Sequence, residues 1–221
     1  LNEVESLAFD HGAILCEALG HFWPGMPSYN KKTSKLALPA PFMKKSLDKD
    51  APITFFGGSF NPWHEGHRTC LDLCPSRNVL VVPDQNPWKA GGMSGHCYWK
   101  KYVELCQLLE NTSWSVYPGF WRSERGNPTV EWLPFTQFKE RWILMGDDTF
   151  MGLAEWKDAK SLLPALKGVF VVTRITDGPQ DQRLVDQAAR LRALNKKLEI
   201  HVLVGNPHAE VSSTKIRAAN S

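Results

Sequence analysis

Two histidines three residues apart close a segment that opens with a glycine pair: Gly57-Gly58-Ser59-Phe60-Asn61-Pro62-Trp63-His64-Glu65-Gly66-His67. Imidazoles can donate hydrogen bonds to phosphate oxygens whether neutral or protonated. Glycines let the backbone turn tightly and bring N–H groups close to an anion. On a first helical turn, residues three apart share a face, and the unpaired N–H groups and positive dipole end point at the same spot. Taken singly, a histidine pair at this spacing is more often structural, and a glycine pair is often only a turn. Between an apolar run and a helical pattern, the combination reads as a cradle for phosphate.

A second segment near the other end, Val211-Ser212-Ser213-Thr214-Lys215-Ile216-Arg217, places three hydroxyls at an expected helix start and a guanidinium on its first turns. Alone, a Ser-Ser-Thr run is better explained as a plain N-cap. Arg217, with its planar fork of donors, suits phosphate equally well. Two phosphate-type segments about 145 residues apart are hard to obtain together by chance.

Elements that could position these groups are legible around them. Ile53–Phe56, Val79–Val82, Trp114–Tyr117, Trp142–Met145, Val169–Thr173 and Ile200–Val204 are short apolar runs of the kind that form buried strands. Helical patterns are expected between them over 65–74, 97–110, 129–140, 148–163 and 181–196, with Pro134 and Pro164 weakening the third and fourth. Such alternation implies βαβ crossovers and an α/β, Rossmann-like parallel sheet with helices on both faces. Ligands of such sheets bind beyond the carboxyl ends of the strands. The first 50 residues differ: an amphipathic helix is expected over 1–20, and a Pro- and Lys-rich stretch over 22–50 reads as a linker or arm. The division is therefore an N-terminal extension over 1–50 and a core domain over 51–221.

The first segment resembles the signature GG(S/T)F(D/N)PxHxGH of the nicotinate-mononucleotide adenylyltransferases, within the HxGH nucleotidyltransferase superfamily. Val211 to Arg217 is similar to the family's ISSTxIR motif. Three further stretches resemble the same family: Val82 to Lys89, Gly146-Asp147-Asp148 beside its GAD, and Leu153-Ala154-Glu155-Trp156. The resemblance covers about 52–217. It implies that His64, His67 and Arg217 are catalytic. It also implies that ATP is bound by Gly57, Gly58, Ser59, Phe60, Gly66, Gly146, Asp148, Ser212, Ser213 and Thr214. Ser59, Lys89, Thr129 and Trp156 would hold the mononucleotide, Trp156 by stacking on the pyridine ring, although a tryptophan in a helical run is usually core. Two positions depart from the family: Asp147 stands where it has alanine, and Asn127-Pro128 replaces the tyrosine that precedes Thr129.

The reaction so implied is transfer of AMP from ATP to nicotinate mononucleotide, releasing pyrophosphate, with Mg²⁺ held by the phosphates rather than by a protein cage. Other readings are another HxGH enzyme, acting on nicotinamide mononucleotide or phosphopantetheine, and a non-catalytic nucleotide sensor. The absence of a G-x-x-x-x-G-K-[ST] loop argues against a P-loop NTPase. In 221 residues, 43% hydrophobic and 22% charged, the composition is that of a chain with a full core. A net charge of +3 is too small to argue for nucleic acid. No apolar run approaches the roughly 18–20 residues that span a bilayer, and no secretory leader pattern opens the sequence. The five cysteines, Cys16, Cys70, Cys74, Cys97 and Cys106, form neither a disulfide scaffold nor a convergent metal set, so reduced thiols in the cytoplasm are expected. Small-molecule substrates are the expected partners, and a homo-oligomer stays open.

Overall fold

Six apolar runs form the strands β1 (Ile53–Gly58), β2 (Val79–Pro83), β3 (Ser115–Val116), β4 (Arg141–Gly146), β5 (Gly168–Val172) and β6 (Glu199–Leu203) of one sheet. The structure, a computed structural model, describes residues 50–83, 104–116, 128–131, 133–136, 138–174, 180–208, 210–211 and 213–219. The helix expected over 1–20, the linker up to residue 49, Lys89 and Ser212 lie outside the described residues, as does the side chain of Thr214.

The strand order is β3-β2-β1-β4-β5-β6, and every pairing is parallel. Chain order reverses between β1 and β4, which makes their carboxyl ends the switch point where such sheets open a crevice. Register explains why the strands are apolar on both sides. Val116, Val81, Phe56, Leu144, Phe170 and His201 stand in one row across the sheet. Side chains in one row share a face, and the first five belong to a single buried cluster with Cys70, Leu71, Leu105 and Leu109. The neighbouring row, Leu80, Phe55, Ile143 and Val169, belongs to the opposite cluster. Burial on two faces is what makes parallel strands read as continuous apolar runs.

Helices α1 (Glu65–Leu73), α2 (Asp147–Met151), α3 (Ala159–Leu162), α4 (Gln182–Leu194) and α5 (Ser213–Ala219) complete the fold, with a helical segment at 104–108. Helix α1 and the segment after 104 cover one face through Leu71, Leu105 and Leu109. Helices α2 to α4 cover the other through Phe150, Leu162, Leu184, Ala188 and Leu191.

Two expected helices are broken. In place of one helix over 129–140 there are two 3₁₀ turns, Thr129–Glu131 and Leu133–Phe135. Pro128 and Pro134 lack the N–H that an α-helix needs, and the backbone closes instead through Glu131 N–H to Pro128 O and Thr136 N–H to Leu133 O. The pattern over 148–163 divides into α2, a 3₁₀ turn at Leu153–Glu155, α3 and a 3₁₀ turn at Leu163–Ala165. Gly152 caps the first piece, Trp156 is extended, and Asp158 is left-handed at φ 47°, its carboxylate accepting from Ser161 N–H to start α3. Apolar spacing carries no sign of those three reversals.

Gly168 opens β5 beneath the Trp142 indole, which stacks on Phe170 at 4.6 Å. A Cβ at Gly168 would lie 2.3 Å from Trp142 Cζ3 and 2.5 Å from the Glu199 carbonyl oxygen. The carbonyl belongs to the β6 backbone and cannot swing aside. Gly168→Ala should therefore lower stability by about 1–3 kcal/mol, the usual range for overpacking, read as a reduced urea midpoint at unchanged slope. An unchanged midpoint would mean that β5 and β6 separate without cost.

Candidate functional site

The turn from β1 into α1 is built around one buried ring. Phe60 takes a positive φ of 45°, a conformation that costs a side-chain-bearing residue energy unless its surroundings hold it. They do: Phe60 is 1% exposed, with its ring 5.2 Å from Phe56, 5.3 Å from Trp63 and 5.1 Å from His67. This packing separates the roles of the two glycines. A Cβ at Gly58 would meet the Phe60 ring at 2.9 Å, whereas nothing lies within 4 Å of one at Gly57. Gly58 is required by the turn, and Gly57 leaves open space above the strand end.

His64 is the N-cap of α1 and His67 stands at its third position. Their rings stack at 3.7 Å between centroids. The His64 N–H donates to His67 Nδ1 at 3.3 Å, so a neutral His67 carries its proton on Nε2 as a donor. A Cβ at Gly66 would lie 3.0 Å from His64 Nδ1, so the residue between the histidines must be small for the His64 ring to keep its place. His64 Nδ1 is buried and finds no hydrogen-bond partner among the described residues. Burial pushes the His64 imidazole below its ordinary pKa, and the Arg174 guanidinium pushes it further. The favoured state is neutral.

Helix α5 docks on this turn from 150 residues away. Ser213 Oγ donates to the Pro62 carbonyl at 2.9 Å, and Arg217 Nη1 donates to the Asn61 carbonyl. The loop entering α5 passes over Gly66, with the His208 carbonyl 3.5 Å from a Cβ placed there. The two hydroxyl- and histidine-bearing segments thus form one structural unit, with His64, His67, Ser213 and Arg217 around it.

Across the switch point, β4 ends in Gly146 and turns at once into α2. Asp147 is 8% exposed. One of its oxygens accepts Asp148 N–H at 2.9 Å, and the other accepts Arg174 N–H at 3.0 Å just past β5. Asp148 is exposed, accepts Thr149 N–H at 2.8 Å and pairs with Arg174 Nη2 at 3.3 Å. A Cβ at Gly146 would lie 3.0 Å from Asp148 Oδ1.

Thr129 and Trp156 lie on two segments joined by an ion pair. Trp156 closes the turn after α2, half-buried against the core, and the following Lys157 pairs with Glu131 of the Thr129 turn. Trp156 is therefore partly packing, with part of its ring left accessible. Sequence reasoning passed over Arg174 and His208. Arg174 lies two residues past the end of β5, so the preference of ligands for strand carboxyl ends could have drawn attention to it. Cys70, whose thiol burial pushes up to about 12, and Cys74, also raised by burial, are poor nucleophiles. Among the described residues no three His, Cys, Asp or Glu side chains gather as a metal site.

A family model described as cytidylyltransferase-like matches residues 55–219. The chain belongs to the cytidylyltransferase-like family. Relatives of this cytidylyltransferase-like chain carry the name probable nicotinate-nucleotide adenylyltransferase. That of Chlorobium phaeobacteroides is 26% identical over 66% of this chain and 82% of its own length. That of Helicobacter pylori is 30% identical over 53% and 72%, and that of Leptospira interrogans 27% over 73% and 81%. A solved structure of Plasmodium falciparum nicotinic acid mononucleotide adenylyltransferase complexed with APC superposes with a TM-score of 0.50 at 15% identity, over 76% of this chain and 82% of that one. That likeness bears on the fold. No helix among the described residues is long and apolar enough to cross a membrane.

The state of His64 is open to direct measurement. In the free protein, an NMR titration should show this imidazole titrating below the ordinary histidine value, and Arg174→Gln should move it upward. Because folding favours the neutral ring, its contribution to stability is complete above the ordinary value and is lost as pH falls through the depressed one. An ordinary titration unaffected by Arg174→Gln would place the guanidinium away from the ring.

Proposed function

We propose that the protein transfers AMP from ATP to nicotinate mononucleotide, forming nicotinate adenine dinucleotide and pyrophosphate, the step that builds the dinucleotide in NAD synthesis. The observation that carries this is the docking of α5 on the β1–α1 turn, where Ser213 and Arg217 bond the carbonyls of Pro62 and Asn61. It gathers two phosphate-type segments at the switch point of a nucleotide-binding sheet, in a chain whose relatives are named for this activity.

In this reading the acceptor's 5′-phosphate attacks the α-phosphorus of ATP in line. A bond forms from the acceptor oxygen to that phosphorus, and the bond from it to the bridging oxygen of the β-phosphate breaks. A phosphate monoester is largely ionised at neutral pH, so no general base is needed. Rate comes from positioning and from offsetting charge on the transferred and leaving phosphates. His64, favoured neutral by burial, and His67 act as donors, Arg217 as the cation, and the N–H groups of Gly57, Gly58, Ser59 and Phe60 with Gly66 complete the cradle. Ser212, Ser213 and Thr214 lie on the opposite side of the triphosphate, and Gly146 and Asp148 take the nucleoside. Ser59, Lys89 and Thr129 hold the mononucleotide, and the accessible part of the Trp156 ring stacks on its pyridine. Mg²⁺ arrives with ATP as part of the substrate, liganded by phosphate oxygens and water. The core spans 51–221, and the extension over 1–50 is dispensable for this chemistry.

Pyrophosphate release should be several-fold more efficient with nicotinate mononucleotide than with its amide or with phosphopantetheine. Equal or better use of phosphopantetheine would contradict the assignment. His67→Ala should lower kcat by roughly a hundredfold, as loss of one transition-state donor does; because the ring also packs on Phe60 and accepts the His64 N–H, kcat is compared on protein whose melting curve shows it folded.

Trp156→Ala should raise KM for the mononucleotide by roughly tenfold through lost stacking and burial, while KM for ATP moves far less. Trp156→Phe should recover much of the loss. A joint rise in both KM values would mark the indole as packing alone.

A further inference from the structure

Asp147 stands at the switch point with no part in the reaction described above, and its surroundings show what it does. A carboxylate beside a polyphosphate site would repel the ligand if it faced it in the open. This one is 8% exposed, and each oxygen is taken by a backbone N–H, one from Asp148 and one from Arg174. The first bond satisfies an orphan donor at the start of α2, and the negative charge sits where the helix dipole favours it. The second ties the backbone just past β5 to the start of α2 across 27 residues of sequence.

That tie closes a ring of interactions. The Arg174 backbone is held by Asp147, the Arg174 side chain reaches Asp148 Oδ2 at 3.3 Å, and Asp148 is bonded back to Asp147 through its own N–H. The Asp148 carboxylate is thus fixed from two sides, by Thr149 N–H on Oδ1 and by Arg174 on Oδ2. The Arg174–Asp148 pair is exposed, with side chains 41% and 62% accessible, and such a pair has little tendency to hold one geometry unaided. Its order must come from the anchored backbone beneath it. The Arg174 charge also disfavours a charged His64 imidazole, second to burial.

We infer that Asp147 is a positioning residue for nucleotide binding: it holds the backbone just past β5 against the start of α2, so that Arg174 holds the Asp148 carboxylate in the orientation that receives ATP. This rests on the proposed role of Asp148. Asp147→Ala should raise KM for ATP about tenfold, the scale of losing a charge-assisted bond, while kcat and KM for the mononucleotide change less than about threefold. Asp147→Asn, which keeps one acceptor oxygen for the Arg174 N–H but turns its NH2 toward the Asp148 N–H, should give a KM for ATP between those of the wild type and the alanine variant. In an Asp148→Ala background, Asp147→Ala should add almost nothing to the ATP KM, because residues acting through one another are not additive.

Three results would overturn the inference: a lowered melting temperature with KM for ATP unchanged, an asparagine variant no better than alanine, or full additivity with Asp148→Ala. An Asp148→Ala enzyme with normal KM for ATP would remove the nucleotide role of Asp148 and the positioning role with it. A strong effect of Asp148→Ala without one from Asp147→Ala would sink only the positioning role.

Discussion

Two carbonyl oxygens in the turn after β1, on Asn61 and Pro62, receive hydrogen bonds from a helix that begins about 150 residues later. Everything proposed for the chemistry depends on that docking. Without it the histidine pair on α1 and the hydroxyl-rich start of α5 are two separate helix ends, each explained by ordinary capping. For those carbonyls to face α5, the turn must keep one shape. The buried Phe60 ring sets that shape against Phe56, Trp63 and His67, and Gly58 leaves the space that the ring occupies. A positive φ at a phenylalanine costs energy, which the aromatic contacts around it offset.

The sheet supplies the frame. Because chain order reverses between β1 and β4, the loops leaving them diverge to opposite faces and open a crevice at their carboxyl ends. One side of it carries the histidine pair, with His64 favoured neutral, and backbone N–H groups. The other carries Asp148, paired with Arg174, whose backbone N–H is bonded by Asp147. Arg174 links the sides electrostatically: it pairs with Asp148 while disfavouring charge on His64.

Much of this frame was legible in the residues, for local reasons. Parallel strands buried on both faces are continuous apolar runs, so all six could be placed to within about two residues at the ends described. The histidine and hydroxyl motifs are contiguous, and contiguity is what sequence displays best. Helix integrity was harder to read. Apolar residues over 148–163 keep a helical spacing, yet Gly152, the extended Trp156 and the left-handed Asp158 divide the segment. Pro128 and Pro134 likewise turn 129–140 into 3₁₀ turns. The ring of Asp147, Arg174 and Asp148 was invisible because its decisive bond joins residues 27 apart through a backbone N–H. The separate duties of Gly57 and Gly58 emerge only once the Phe60 ring is seen against Gly58 alone. Lys89 and Ser212 fall outside the described residues, and their roles rest on resemblance.

The most direct test is a crystal structure of the protein with a non-hydrolysable ATP analogue and nicotinate mononucleotide bound together. The triphosphate should lie between the start of α1 and α5, with His64, His67 and Arg217 within hydrogen-bonding distance of its oxygens. The acceptor phosphate should be in line with the α-phosphorus. A triphosphate bound elsewhere, with α5 still seated on the Asn61 and Pro62 carbonyls and no phosphate between the two motifs, would contradict the account.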